Sequence, residues 1–181
     1  MGGVTDATDV PELAQCQELL ARSRTGEVDV TVEVGAAFCA LAEAFLQVST
    51  STATTATATA EEEREREGEG EERGPDLQRL VLLAQALRNC CCDPNRVHLL
   101  LAAGVPRTMQ RVLRAVATTS HRVDLDAKLT LLLAQAAANA AASGSAGMQQ
   151  VLLGQESEWD PCEFSFLSDL LAAASRRCVC V

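Results

Sequence analysis

Tyrosine is absent from this chain, tryptophan occurs once, and aromatics make up only 3% of its 181 residues. Ala and Leu supply most of the 48% apolar content. Both are strong helix formers. Few β-branched runs occur outside Val28–Val34, so a sheet has little material, and the expected fold class is all-α. Basic charge is also scarce: 15 Lys and Arg stand against 25 Asp and Glu, for a net charge of −10. Binding to DNA or RNA draws on a basic footprint that neutralises phosphates, so no nucleic-acid partner is expected.

Further absences narrow the class. No apolar run reaches the roughly 18 uninterrupted residues of a membrane span. The first residues show no charged segment followed by an apolar one, as a signal peptide would. A cytoplasmic protein that neither spans nor binds a membrane is therefore expected, with its eight cysteines reduced. There is no Cys-x-x-Cys pair, and only His98 and His121 are available as imidazoles. Adjacent helical residues point about 100° apart, so Cys90, Cys91 and Cys92 cannot close a tetrahedral metal site. They read as small packing thiols, at least one of them facing solvent. No nucleophile elbow, phosphate loop or carboxylate pair appears. His98 lies among Leu and Val, a core or groove-edge setting. The expectation is a non-enzyme with no catalytic residue, cofactor or metal. The terminal Cys178-Val-Cys-Val has a prenylation-like shape, but Val181 is not a typical last residue for it.

What the chain does contain is a repeat. Val81 to Asn89 reads VLLAQALRN, and Leu131 to Asn139, 50 residues later, reads LLLAQAAAN. Each is followed by a second short apolar run, NRVHLLLAAG and AGMQQVLLGQ. A recurring helix with one apolar stripe cannot bury that stripe alone, but stacked neighbours can.

The helices predicted around this repeat follow from spacing and punctuation. Val10–Ser23 has Asp9 as a possible cap, Pro11 in its first turn, and Leu13, Cys16, Leu19 and Leu20 on one face. Gly26 ends it. Val28–Val34 alternates like a strand, but a lone strand has nothing to pair with. One helix over roughly Thr31–Val48 is expected instead, with Phe38, Leu41, Phe45 and Val48 in line. Ser49–Gly74 is low complexity. Its Glu61–Gly74 part has eight Glu and three Arg, a net −5. It reads as a disordered acidic insertion, either a docking or phosphorylation loop or a tolerated solvated one. Pro75 opens the next helix, to about Cys91, with Leu77, Leu80, Leu83, Ala84 and Leu87 inward. Asp93-Pro94 turns into a short helix, Asn95–Ala103, stopped by Gly104. Val105–Thr118 follows, striped by Met109, Val112, Leu113 and Val116. Asp124 can cap Leu125–Ala142, and Ser143-Gly144-Ser145 turns. Gly147–Leu153 and Cys162–Ser175 are the last helices, on either side of a polar loop carrying Trp159. The domain plan is a flexible start (1–9), N-terminal helices (10–48), the insertion (49–74), the repeats (75–175) and a tail (176–181).

Long helix, turn, short helix, Gly-Val-Pro and medium helix form a specific order. ALRN–CCCDP–NRVHLLLAAGVP–RTMQRVL resembles the armadillo repeat, as its third, first and second helices in sequence. The 50-residue period slightly exceeds the usual ~40–47, and the Ala117–Val123 connector accounts for the excess. LRNCCCDPNRVHLL and LLLAQAAANAAASG are further similar to successive segments of the ataxin-10 family, a likeness covering about Leu77–Leu153. The resemblance implies an armadillo-like α-solenoid of about three repeats. It implies a non-catalytic scaffold, with roles in cell division and cell survival exercised through other proteins.

The candidate partner-binding residues are Gln85, Asn89, Gln135 and Asn139. Each Asn has a Gln four residues earlier on the same helix face. Such a row can hydrogen-bond an extended peptide. Alternatively, each Asn caps its own helix or bonds the adjoining loop. Nuclear-import armadillo proteins carry Trp where this chain has Gln, so the platform for a lysine stem is missing. A peptide-binding adaptor of the import or catenin type is one alternative function. A truncated fragment without independent activity is the other. Oligomeric state is not indicated.

Overall fold

A computed structural model describes residues 10–54, 66–118 and 123–144, and the described residues form six helices and no strand. The helices are α1 (Leu13–Arg22), α2 (Val28–Thr54), α3 (Arg66–Cys90), α4 (Pro94–Ala102), α5 (Val105–Thr118) and α6 (Val123–Ala142). The expected helices Gly147–Leu153 and Cys162–Ser175, Trp159 and the Cys178–Val181 end lie outside the described residues, as do residues 1–9.

Burial explains why the strand-like stretch is helical. Val30, Thr31 and Val34 fall at i, i+1 and i+4 and are all buried, while Val28 and Val32 are exposed. That is the phase of a helix face, and it continues through Phe38, Leu41, Ala42 and Phe45. Tertiary burial of this face outweighs the modest helix penalty of β-branched residues. Val48, expected in the same stripe, is exposed.

Several boundaries differ from expectation. α1 begins at Leu13 rather than Val10, with Glu12 at its N-cap making no side-chain cap. Pro11 therefore precedes the helix, and Leu13 is exposed. The low-complexity stretch, expected as disordered throughout, is helical at its two described ends, because α2 runs to Thr54 and α3 starts at Arg66. Glu and Arg are good helix formers. Pro75 consequently sits inside α3 instead of opening it. Proline has no N–H to give the turn before it. Asp124 lies in the first turn of α6 rather than ahead of it. The α4 expectation is met: Asp93 accepts a hydrogen bond from the Asn95 backbone N–H at 2.9 Å, and Pro94 takes the first position. Gly104, at φ +72°, reverses the chain from α4 into α5.

The packing has an order. α3 lies between α1 and α6, and its contact with α6 is the most extensive in the fold. α2 packs on α1, α3, α4 and α5, and α5 also touches α4 and α6. All five expected inward residues of α3 (Leu77, Leu80, Leu83, Ala84 and Leu87) and all four of α5 are buried. Gly35 lets α2 approach the α4–α5 corner, since a Cβ there would meet Leu100 Cδ2 at 3.2 Å and Val105 Cγ2 at 3.4 Å.

Candidate protein-interaction face and its polar hub

The four candidate amides gather along one layer, α1–α3–α6. The Asn89 side-chain amide donates to Ser23 Oγ at 3.0 Å. Asn139 donates to the Arg88 carbonyl at 3.2 Å and points at Cys92 Sγ, 3.5 Å away. Gln135 Oε1 accepts from the Arg88 guanidinium at 3.2 Å. Neither Asn caps its own helix. Each reaches the terminal turn of the neighbouring helix: Ser23 is the C-cap of α1, and Arg88 lies two residues before the end of α3. Gln85 is half-buried and makes no hydrogen bond among the described residues.

These bonds set the sense of the layer. Helices whose C-terminal turns meet and which also pack side by side run in the same direction. At the other end of α1, Arg79 donates to the Pro11 carbonyl at 2.9 Å, ten residues back along α3 from Asn89. Two tie points thus hold α1 parallel to α3.

Beneath the row is a buried polar hub that sequence reasoning missed. Arg96, on α4, is only 5% exposed. Its Nε donates to Thr31 Oγ1 at 2.7 Å, and one Nη donates to the Ser23 carbonyl at 3.1 Å and to Cys90 Sγ at 3.0 Å. No carboxylate is among these partners. The counter-charge comes instead from the helices: Ser23 ends α1 and Cys90 ends α3, where the backbone dipoles are negative. Ser23 is shared between both systems. Its hydroxyl donates to the Leu20 carbonyl at 2.7 Å while accepting from Asn89. The only sequence signal for the hub is an Arg one residue before Val97 in the short NRVHLLLA helix.

Among the described residues the five cysteines are free thiols, with Cys90 and Cys91 buried and Cys92 exposed. Burial pushes the Cys90 thiol up, against the pull of Thr31 and Arg96. It pushes Cys91 up to about 12. Such thiols stay protonated and unreactive. No group of three His, Cys, Asp or Glu able to hold a metal occurs among the described residues, and no helix there is long and apolar enough to cross a membrane.

A cleft of about 280 Å³ lies where α1 begins beside α3, lined by Glu12, Leu13, Pro75, Gln78 and Arg79. It is smaller than ordinary small-molecule pockets. Arg79 is already engaged there by Asp76 and the Pro11 carbonyl.

No family model matches the chain, and neither a curated protein nor a solved structure shows significant similarity to it.

Proposed function

We propose that this chain is a non-catalytic protein-interaction scaffold built as an armadillo-like array, similar to the ataxin-10 family and acting through protein partners in cell division or survival. The observation that carries the reading is the layer of parallel helices joined by equivalent amides 50 residues apart. In an up-and-down bundle, neighbouring helices run antiparallel. A layer in which successive helices run the same way, with others returning behind it, is the arrangement of a helical repeat. Asn89 and Asn139 then serve as repeat-to-repeat ties, and the half-exposed Gln85 and Gln135 are the groups turned to a ligand.

The test is affinity capture from the source cells with the full chain, comparing wild type with Gln85→Ala/Gln135→Ala. Both Asn ties are left in place so that the fold is kept, as checked by circular dichroism. Recovery of specific partners by wild type, diminished in the variant, supports the reading. Failure to recover any partner overturns the scaffold. Equal recovery by the two proteins removes the glutamines from the binding surface.

A further inference from the structure

The turn from α1 into α2 reads Arg22-Ser23-Arg24-Thr25-Gly26. Ser23 closes α1, and α2 begins at Val28. Every residue from Arg24 to Asp29 is exposed. Gly26, at φ +83°, turns the chain, and nothing lies within 4 Å of where its Cβ would stand. The Thr25 hydroxyl donates to the Arg22 carbonyl at 2.8 Å, a local bond that leaves the side chain at the surface. Among the side chains described, Thr25 carries the one exposed aliphatic hydroxyl. Ser23, Thr31, Thr108 and Thr130 are buried, and Ser143 is half-buried. Two guanidiniums precede it, at −3 and −1. Arg22 is held at the surface by the Glu33 carboxylate at 2.8 and 3.2 Å, with its side chain 37% exposed. Arg24 is exposed and makes no ion pair among the described residues.

We propose that Thr25 is a phosphorylation site, modified by a serine/threonine protein kinase that reads basic side chains ahead of the acceptor. Kinases select substrates by charge pattern, and an acidic substrate groove pairs with arginines through charge-assisted hydrogen bonds. Ser23, at −2, is buried, so the kinase meets the chain from Arg24 outward and Arg22 on the surface of the last turn of α1. In the transfer, the Thr25 oxygen attacks the γ-phosphorus of ATP as the bond to the bridging oxygen of the β-phosphate breaks. The hydroxyl proton passes to the kinase's catalytic base, and ADP leaves. A phosphate there brings about −1.5 to −2 of charge at neutral pH next to Arg24 and close to Arg22. It competes with Glu33 for Arg22, the side-chain ion pair that joins α1 to α2 among the described residues. It does so two residues from Ser23, where Asn89 and Arg96 are anchored. The modification therefore acts on the joint between α1 and α2, and the inference does not depend on the scaffold reading.

The full 181-residue chain is incubated with a basic-directed serine/threonine kinase and magnesium ATP labelled at the γ-phosphate, and the modified residue is located by mass spectrometry. Phosphate on Thr25 is expected, with none at that position in Thr25→Ala and at least tenfold slower incorporation there in Arg22→Gln and in Arg24→Gln. These side chains lie at the surface, so the variants keep the fold, as circular dichroism checks. Glu33→Gln breaks the same ion pair as Arg22→Gln but leaves both arginines in place. It is expected to be labelled at least as fast as wild type, which separates recognition of Arg22 from its packing role. No phosphate on Thr25, label confined to other residues, or equal rates in Arg24→Gln and wild type overturns the proposal. So does equal labelling of Thr25 by an acid-directed kinase, because the arginines are then not what is read.

Discussion

Arg96 offers the sharpest test of how the helix ends are joined. Arg96→Met keeps most of the stem and removes the guanidinium, and with it the bonds to Thr31, the Ser23 carbonyl and Cys90. Hydrogen bonds from a charged donor contribute about 1.5–3 kcal/mol each, and a buried acceptor left unpaired costs about 1–3 kcal/mol. Releasing a buried cation to neutrality offsets part of that loss, because its desolvation penalty is several kcal/mol. A net destabilisation of about 2–4 kcal/mol is expected, or a fall in Tm of roughly 4–16 °C for a chain this size. Urea unfolding followed at 222 nm measures it. Thr31→Val closes a double-mutant cycle on the 2.7 Å contact, with an expected coupling of about 1.5–3 kcal/mol. Arg96→Lys keeps the charge near the ends of α1 and α3 but not the fork, and should fall between wild type and Met. If Arg96→Met is as stable as wild type, or the coupling is below about 0.5 kcal/mol, helix C-termini and neutral acceptors are not what holds this cation.

Three other outcomes follow from the same geometry. Asn89→Ala and Asn139→Ala should each cost about 1 kcal/mol in chemical denaturation, whereas Gln85→Ala, with no described partner, should stay within about 0.5 kcal/mol; equal effects would refute the tie role. Gly35→Ala gains up to about 1 kcal/mol of helix propensity against a 3.2 Å contact with the flexible end of Leu100, so its melting temperature should barely move; Gly35→Val should lower it clearly by pushing on Val105 as well. Cys91 ionises near 9.0 when unperturbed and at about 12 in the fold, so between those values the unfolded chain loses a proton that the native one keeps. Stability is full below about pH 9 and is lost as pH rises towards 12, at about 1.4 kcal/mol per pH unit from this thiol; urea titrations at pH 8 and pH 10 should show a smaller drop for Cys91→Ala, and an identical drop would refute the assignment.

The helices could be read in advance because their apolar spacing is local. Leu77, Leu80, Leu83, Ala84 and Leu87 declare their face within eleven residues, and all are buried. Where local signals conflicted, long-range packing decided. Val28–Val34 alternates like a strand, yet the residues that find neighbours are Val30, Thr31 and Val34. The amide row could be found but not interpreted, because Asn89 meets Ser23 from 66 residues away and Asn139 meets Arg88 from 51. Arg96 was illegible for a different reason. A buried cation is sought through its carboxylate, and here the compensating groups are a carbonyl, a hydroxyl, a thiol and two helix ends, none of which is a charged residue type. The same distinction separates Val81 from Leu131. The 50-residue period makes them equivalent, so sequence alone assigns both to a covered face. Only the fold tells them apart, with Val81 3% exposed and Leu131 58% exposed.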